Sequence, residues 1–384
     1  YGGPAYGIET AAQTYFGKKA KDLTLEESAL LAGLPQSPTR YSPFGSHPEL
    51  AKQRQIEVLK AMEEEKYITK EKEKKAESAP LHYKKISNSI EAPHFVLYIK
   101  DLLIQKYGAR LVEEGGLKVT TTLDLDIQNY AQASVAAQID ALPNYYHVTN
   151  GAAVVTNPAT GEILAMVGSK DYFDATIDGN VNITTALRQP GSSIKPINYA
   201  VGLINKYNAA TTFIDEQICF PNQGGKEYCP VNYDGKWHGL TSIRNALGNS
   251  FNIPAVKMLA MVGIKGMLET EFDLGFTTLE PTKKNMERFG LSATLGGGEV
   301  RLLDLTSAYG AFANGGKRHE PVSILRVEDA NGKVLEEYKE EKGRRVLSEG
   351  EAFIISDILS DNNARADVFG TNSYLNISGK TVAV

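Results

Sequence analysis

The sequence predicts a multi-domain α+β protein in which an all-α N-terminal part is followed by an antiparallel sheet flanked by helices. Three observations support this prediction. The chain has 384 residues and 42% of them are hydrophobic, so it can form two or three domains with cores of their own. Residues 1 to about 80 carry helix signals. After residue 150, paired apolar runs joined by turn residues indicate strands.

Helix start and stop signals are clearest near the N-terminus. Thr24 and Glu27 are spaced as a capping box, in which each side chain accepts from the backbone N–H of the other residue. The helix that they begin is expected to end at Gly33 and Pro35. A second helix is predicted from about residue 48 to 65. We interpret the lysine- and glutamate-rich run that follows it as a solvated surface.

Residues 81–150 are predicted to connect the two parts of the chain. Their strongest signal is an amphipathic helix with apolar residues at helical spacing. The predicted stripe consists of Ile127, Tyr130, Ala131, Val135 and Ile139. Such a stripe predicts packing against a neighbouring element and indicates no function by itself.

Two pairs of strands are predicted in the C-terminal part. Residues 152–156 and 163–167 are apolar runs joined by turn residues, which is typical of a buried antiparallel hairpin. Residues 321–338 have the pattern of a second pair, turning at Ala-Asn-Gly. The three glycines at 296–298 lack the preceding strand and the Lys-Ser/Thr of a nucleotide site, so we interpret them as a turn.

The stretch 188–196 (Arg-Gln-Pro-Gly-Ser-Ser-Ile-Lys-Pro) carries the first candidate for chemistry. It places Ser192 and Lys195 three residues apart, at the start of an apolar run that predicts a helix to residue 204, packed against the sheet. Residues at this spacing share one face of a helix. A neutral amine beside a hydroxyl can take its proton during nucleophilic attack, so the pair predicts an activated serine.

Two further motifs follow Ser192 and Lys195 in a fixed order. Ser250-Phe-Asn252 and then Ser378-Gly-Lys-Thr381 complete a set of Ser-x-x-Lys, Ser-x-Asn and Lys-Thr sequences. In this order they resemble the three motifs of penicillin-binding proteins and serine β-lactamases. Taken alone, the second motif fits equally well as helix-capping residues and the third as plain strand residues.

The N-terminal sequence extends this resemblance. Residues 6–18, 30–38 and 41–43 are similar to the C-terminal part of the peptidoglycan glycosyltransferase domain of class A, bifunctional penicillin-binding proteins. In that family the catalytic glutamates lie in upstream motifs that have no counterpart here, so Glu9 receives no catalytic role. The glycosyltransferase chemistry is therefore expected to be absent from this chain.

The resemblance also implies a domain organisation. Residues 1–80 are expected to be a C-terminal fragment of the glycosyltransferase domain, residues 81–150 a linker region, and residues 151–384 a penicillin-binding transpeptidase domain that is truncated at its C-terminus. The chain opens with Tyr-Gly-Gly-Pro and stops soon after the third motif. We therefore expect the sequence to be part of a longer one.

The resemblance implies a role for each residue of the first two motifs. Ser192 would attack the carbonyl between the two terminal D-alanines of a stem peptide, and β-lactams would acylate the same hydroxyl. Lys195 would be its base, Ser250 would relay the proton to the leaving amine, and Asn252 would hold Lys195 and the substrate amide. Because Lys195 must be neutral, we expect nearby Lys380 to lower its pKa.

The third motif departs from the family pattern. Lys380 and Thr381 are expected on an edge strand, where they would bind the substrate's terminal carboxylate. Ala383 would supply an oxyanion-hole N–H together with that of Ser192. The family has glycine where Val382 stands. A β-branched side chain there would intrude on the substrate backbone, so we expect weak or absent penicillin acylation.

Composition narrows the classes of partner. The formal net charge is −5, which indicates no basic surface for nucleic acid. The six histidines are scattered without ligand spacing, and we expect neither a metal nor another cofactor. No apolar run approaches the roughly 18 residues that span a bilayer. The resemblance implies stem peptides and glycan strands as partners, and a native protein anchored at the extracytoplasmic face of the bacterial membrane.

Two features of the stretch 219–238 stay open or unassigned. Cys219 and Cys229 flank a polar loop, and a disulfide between them would suit an extracytoplasmic location. Their spacing does not distinguish a disulfide from two free thiols. Trp237 and His238 are interpreted as loop anchors rather than cleft residues, because aromatic rings usually pack for area.

Two other functions compete with the transpeptidase. A serine β-lactamase shares the three motifs, but it would need a deacylating base and would not carry part of a glycosyltransferase. A non-catalytic penicillin-sensing or wall-binding module would bind without crosslinking, and the departure at Val382 is the one feature that favours it. The N-terminal resemblance favours the transpeptidase over the β-lactamase, and we rank both alternatives below the transpeptidase.

Overall fold

The chain divides between residues 91 and 92 into two units, Tyr1–Glu91 and Ala92–Val384. The computed structural model describes residues 1, 7–38, 40–44, 48–84, 90–221 and 225–384. Residue 6, which begins the glycosyltransferase-like stretch, and residues 222–224, between the two cysteines, lie outside the described residues. The division falls inside the predicted linker region, so residues 92–150 belong to the second unit.

The first unit is helical, as predicted. The capping box is confirmed, since the backbone N–H of Thr24 donates to Glu27 Oε2 at 2.9 Å. The lysine- and glutamate-rich run forms a helix of its own and buries Glu73, so it is more than a solvated surface. Glu9 accepts from the Ala20 N–H at 2.9 Å and stabilises a local turn. The helices are α1 Gly7–Phe16, α2 Leu25–Gly33, α3 Glu49–Glu64 and α4 Lys70–Ser78.

The second unit is α+β. Its helices are α5 Pro93–Tyr107, α6 Ala109–Glu114, α7 Leu125–Ala141, α8 Lys195–Ile204, α9 Ile243–Gly248, α10 Asn252–Val262, α11 Ile264–Asp273, α12 Lys283–Arg288, α13 Leu302–Ala313, α14 Glu349–Ser360 and α15 Ala366–Phe369. Its strands are β1 Lys118–Thr121, β2 Ala153–Thr156, β3 Ile163–Val167, β4 Leu187–Arg188, β5 Thr212–Asp215, β6 Gly239–Ser242, β7 Val300–Arg301, β8 Lys317–Arg318, β9 Ile324–Glu328, β10 Val334–Glu337 and β11 Arg344–Arg345. Across the described ranges, no helix is both long and apolar enough to cross a lipid bilayer.

Antiparallel pairing confirms both predicted strand pairs. β2 pairs with β3, and β9 pairs with β10. β1 lies in the region predicted as a linker and pairs with β9, which makes a three-stranded sheet with Val119 opposite Val327. Thr122 then joins this sheet to the β2–β3 hairpin, because its hydroxyl donates to the Ile163 carbonyl at 2.7 Å. The remaining strands form the two-stranded pairs β4–β7, β5–β6 and β8–β11.

The amphipathic helix is confirmed as α7, but one member of its predicted stripe is wrong. Tyr130 is 78% exposed. The residue that α7 buries is Gln128, whose amide accepts from the Met166 N–H at 2.7 Å and donates to the Met166 carbonyl at 3.3 Å. A polar side chain thus faces β3, and this turns Tyr130 to solvent. The other stripe members are partly buried, namely Ile127, Ala131, Val135 and Ile139.

The helix after Ser192 is α8, which lies at the centre of the main hydrophobic core. It is buried from Lys195 through Leu203, so apolar neighbours surround it on nearly every face. Those neighbours are chiefly α10, α11 and α14, whereas α7 and α13 pack on the β2–β3 hairpin. The prediction that this helix packs against the sheet is therefore wrong, because its main contacts are with helices.

A substitution on α10 tests this helical core. Leu259 has no exposed surface, so we expect Leu259→Ala to lower the free energy of unfolding of the second unit by about 3 kcal/mol through lost burial and a cavity. Leu240→Ala is the matched control, because that leucine is 73% exposed and the change should cost less than about 0.5 kcal/mol. Urea unfolding followed by the fluorescence of the single tryptophan, Trp237, measures both. Equal losses of unfolding free energy in the two variants would show that Leu259 does not lie in a packed core.

Candidate active site

Ser192 lies on a short 3-10 turn, Gly191–Ile194, that leads directly into α8. Gly191 has a φ of 60°, in the left-handed region that glycine adopts freely. Side chains three residues apart eclipse one another on a 3-10 turn, so Ser192 and Lys195 share a face. Ser192 is exposed, whereas Lys195 is only 1% exposed. The structure therefore presents a candidate nucleophile to solvent, one turn before a buried amine. Within the described residues no hydrogen bond joins the Ser192 hydroxyl to Lys195 Nζ, whose partners are Ser250 and Asn252.

Two side-chain hydroxyls and a close approach by Gly296 hold this turn in place. The Ser193 hydroxyl donates to the Pro190 carbonyl at 2.6 Å, and the Tyr309 hydroxyl, from α13, donates to the Ser193 carbonyl at 2.7 Å. Gly296 is confirmed as a turn residue with a φ of 87°, and a Cβ added to it would lie 2.2 Å from the nitrogen of Gly191. Neither the support from Tyr309 nor the close approach of Gly296 was predicted from the sequence. The available signals were a tyrosine in an apolar helix and a glycine triplet.

Hydrogen bonds from Lys195 bring the first two motifs together. Its Nζ donates to the Ser250 carbonyl at 2.5 Å and to Asn252 Oδ1 at 2.6 Å, and it lies 3.2 Å from Ser250 Oγ. The two carbonyl oxygens can only accept, so they take the two N–H bonds of a neutral amine. The lone pair then remains for a hydroxyl proton, which is what a general base needs.

Burial lowers the pKa of Lys195 to about 7, from an ordinary value of 10.5. The low-polarity surroundings disfavour the charged ammonium, and no second charge is required. The prediction that Lys380 lowers this pKa is wrong, because desolvation is the cause. At neutral pH a large share of the protein therefore carries Lys195 as a free amine.

Ser250 occupies a strained position between α9 and α10. Its φ is 57°, in a region that residues other than glycine rarely adopt. This conformation directs both the carbonyl and the hydroxyl of Ser250 toward Lys195. The next residue, Phe251, is buried, and Asn198 of α8 donates to the Ala255 carbonyl of α10 at 2.9 Å. A side-chain hydrogen bond thus joins α8, which carries Lys195, to α10, which begins with Asn252.

The third motif does not form the predicted edge strand. Lys380 and Thr381 are exposed and lie in an irregular C-terminal segment. Thr381 and Ala383 line an open groove of about 750 Å³ beside α13 and α14, and the N–H of Val384 donates to the Leu359 carbonyl at 2.8 Å. The strand prediction is wrong because the tail bonds to the end of a helix. Contacts of Lys380, Thr381 and Ala383 with a substrate stay predictions.

The steric clash predicted at Val382 requires that strand, because the strand would place Val382 at a glycine position beside the substrate. Residues 380–384 have no strand structure, and the described site around Lys195 is assembled from the first two motifs alone. The structure therefore supplies no steric reason at Val382 for weak acylation.

The loop before the second motif resolves two open points. Cys219 and Cys229 form a disulfide. His238 is confirmed as an anchor, since its ring stacks on Phe251 with the ring centroids 3.9 Å apart. Trp237 is 59% exposed, so its interpretation as a packed anchor is wrong.

Two residues that the sequence analysis missed contact this second motif or its loop. Asn232 accepts from the Asn252 N–H at 2.8 Å, and Asp215 accepts from the Asn232 side chain at 2.8 Å. A signal existed for Asp215. It lies two residues after buried Phe213 on β5, so the two side chains face the same, inward side of the strand. An acidic residue at such a position is unusual.

An exposed serine one turn before a buried lysine of lowered pKa is the arrangement expected of an active-serine acyl-transfer site. Residues 151–381 match the family model described as the penicillin binding protein transpeptidase domain, and residues 1–63 match the transglycosylase model. The chain belongs to the class A penicillin-binding proteins, with part of a transglycosylase domain followed by a transpeptidase domain. Its fold is that of this family, a helical part and then antiparallel strands flanked by helices.

Named relatives agree with this membership. The chain is 33% identical to penicillin-binding protein 2D of Bacillus subtilis over 100% of this chain and 54% of the relative. It is also 33% identical to penicillin-binding protein 1A of Aquifex aeolicus, over 88% of this chain and 56% of the relative. The chain thus spans about half the length of the curated relatives it matches.

Solved structures share the fold. The crystal structure of penicillin-binding protein 1A from Haemophilus influenzae matches with a TM-score of 0.69 at 24% identity, covering 94% of this chain and 70% of that one. The PonA1 protein from Mycobacterium tuberculosis, solved in complex with penicillin V, matches with a TM-score of 0.60 at 21% identity over 70% of each chain.

The buried amine predicts a pH-dependent stability. In the folded state Lys195 releases its proton at about pH 7, whereas the unfolded chain keeps it to the ordinary value of 10.5. The unfolded state therefore binds more protons between these values, and stability rises with pH across that window. From pH 7 to 9 the free energy of unfolding of the wild type should gain about 2 kcal/mol relative to Lys195→Met.

Urea unfolding at the two pH values measures this difference. Lys265→Met is the matched control, because the Lys265 side chain is 72% exposed on α11. Its pH dependence should follow the wild type. If Lys195→Met also followed the wild type, burial would not be holding the pKa of this lysine low.

Proposed function

We propose that this protein is a peptidoglycan D,D-transpeptidase that crosslinks stem peptides through an acyl-enzyme on Ser192. One observation carries the proposal. The Lys195 amine is buried in the helical core and bonded to both Ser250 and Asn252, so the first two motifs share one centre. Family membership and the matched transpeptidase domain support the same reaction.

Acylation follows from this arrangement. The Ser192 oxygen attacks the carbonyl carbon between the two terminal D-alanines, and its proton passes to the lone pair of neutral Lys195. The C–N bond then breaks. Ser250 Oγ, 3.2 Å from Nζ, relays the proton from Lys195 to the departing D-alanine amine. An ester on Ser192 remains.

Transfer completes the crosslink. An amine of a neighbouring stem peptide attacks the ester carbonyl, and its proton passes to Lys195. Lys195 then gives the proton to the departing Ser192 oxygen, so Ser192 recovers its hydroxyl as the new amide forms. Asn252 keeps Lys195 in place through its carbonyl oxygen. A β-lactam would acylate Ser192 by the same attack on its ring amide. The penicillin V complex of the PonA1 relative supports β-lactams as ligands.

Domain limits and cellular setting extend the proposal. Residues 1–80 would be the glycosyltransferase fragment, 81–150 the linker region and 151–384 the transpeptidase domain. The native protein would act on stem peptides and glycan strands at the extracytoplasmic face of the bacterial membrane, to which it would be anchored. The disulfide supports an oxidising compartment. A β-lactamase is not favoured, because residues 1–63 match the transglycosylase model.

Labelling of the full chain with a fluorescent penicillin tests this function. We expect covalent labelling of Ser192 and loss of labelling in Ser192→Ala. Ser78→Ala is the control, since that exposed hydroxyl bonds only the Lys74 and Lys75 carbonyls of its own helix, α4, within the described residues. Peptide mapping identifies the labelled residue. Non-covalent binding, or a label that persists in Ser192→Ala, would exclude the acyl-enzyme.

A further inference from the structure

A buried carboxylate lies behind the second motif. Asp215, the last residue of β5, is completely buried. Its Oδ2 accepts from Asn232 Nδ2 at 2.8 Å, from the His238 backbone N–H at 3.0 Å and from His238 Nδ1 at 2.7 Å. A buried carboxylate is costly unless donors pair with it, and here all three donors contact Oδ2, whereas Oδ1 has no hydrogen-bond partner within the described residues. Asp215 therefore ties the segment that carries Asn232 and His238 to β5.

These bonds determine the orientation of the Asn232 amide. Its nitrogen donates to Asp215 and, at 2.8 Å, to the Lys236 carbonyl, so its oxygen must face the other way. There it accepts from the backbone N–H of Asn252 at 2.8 Å and of Ile253 at 3.4 Å. The first N–H groups of a helix have no partner within the helix. Asn232 satisfies two of them at the start of α10.

The same segment orients the Asn252 amide. The Val231 carbonyl accepts from Asn252 Nδ2 at 2.7 Å. Because a carbonyl can only accept, the Asn252 oxygen has to point to the other side, where Lys195 Nζ donates to it at 2.6 Å. If the Asn252 amide were reversed, its nitrogen would face Lys195 Nζ and its oxygen would face the Val231 carbonyl, so both of the observed hydrogen bonds would be lost.

We propose that Asn232, held by the buried Asp215, is the positioning residue that aligns the start of α10 and sets the Asn252 amide for Lys195. It acts through Asn252, and none of its hydrogen bonds within the described ranges reaches Lys195. His238 completes the support, because its ring stacks on Phe251 between the two residues of the motif. The inference rests on the proposed function where it concerns reaction rates, and on geometry alone where it concerns α10.

A double-mutant cycle tests the kinetic part. We expect Asn232→Ala to slow penicillin labelling of Ser192 by about ten- to a hundredfold, because Asn252 is no longer held in place. In an Asn252→Ala background the same change should slow labelling by less than about twofold, since the residue through which it acts is absent. Multiplicative losses in the double variant would show that Asn232 does not act through Asn252.

Amide hydrogen exchange tests the geometric part without any reaction. Asn232→Ala should accelerate exchange of the Asn252 and Ile253 amides by at least about tenfold and leave later α10 amides unchanged. Asn205→Ala is the matched control, because that side chain bonds only its own helix, at the Val201 carbonyl, within the described chain. Unchanged exchange at Asn252 and Ile253 would overturn the inference.

A second variant and the wild type keep the outcomes separate. If Asn232→Ala does not fold, Asp215→Ala, which removes the acceptor of the Asn232 Nδ2 bond, should show the same local acceleration, and its absence would exclude Asp215 as the support. If the wild type is not labelled at Ser192, the proposed transpeptidase fails. The exchange measurement still decides whether Asn232 positions α10.

Discussion

The burial of one lysine amine determines how this site is built. Lys195 begins α8, which is covered on nearly every face by the helices of the main core. A charged ammonium in such surroundings is disfavoured, so the pKa of Lys195 falls to about 7 and much of the protein carries a neutral amine at neutral pH. Lys195 Nζ donates its hydrogen bonds to Ser250 and Asn252. The packing that stabilises the second unit is therefore the same packing that makes Lys195 a base.

This dependence explains why the site extends beyond its motifs. A neutral amine with two N–H bonds needs acceptors in fixed directions, and both lie at the junction of α9 and α10. Ser250 reaches its direction only in a strained, left-handed conformation. Asn252 reaches its direction because the Val231 carbonyl and Asn232 constrain it. The carboxyl group that supports this arrangement, Asp215, is itself buried and accepts hydrogen bonds from Asn232 and His238.

Local signals predicted much of the fold and the centre of the site. The Thr24 capping box, both strand pairs and the spacing of Ser192 and Lys195 depend on neighbours within a few residues. Contacts between distant segments were not predicted, namely the pairing of β1 with β9 and the support of Asn252 by Asp215. Periodicity shows which face of an element is apolar, but it does not show which element packs against that face. The strand expected at Lys380 rested on resemblance alone, and the tail bonds to α14 instead.

Direct titration of Lys195 tests this account most sharply. In protein labelled with ¹⁵N at the lysine amines, the Lys195 signal is assigned by its loss in Lys195→Met and followed by NMR across a pH series. We predict a titration midpoint at about 7, several units below that of an exposed lysine. A midpoint near the ordinary 10.5 would contradict it, because the amine would then be charged at neutral pH and unable to take the Ser192 proton.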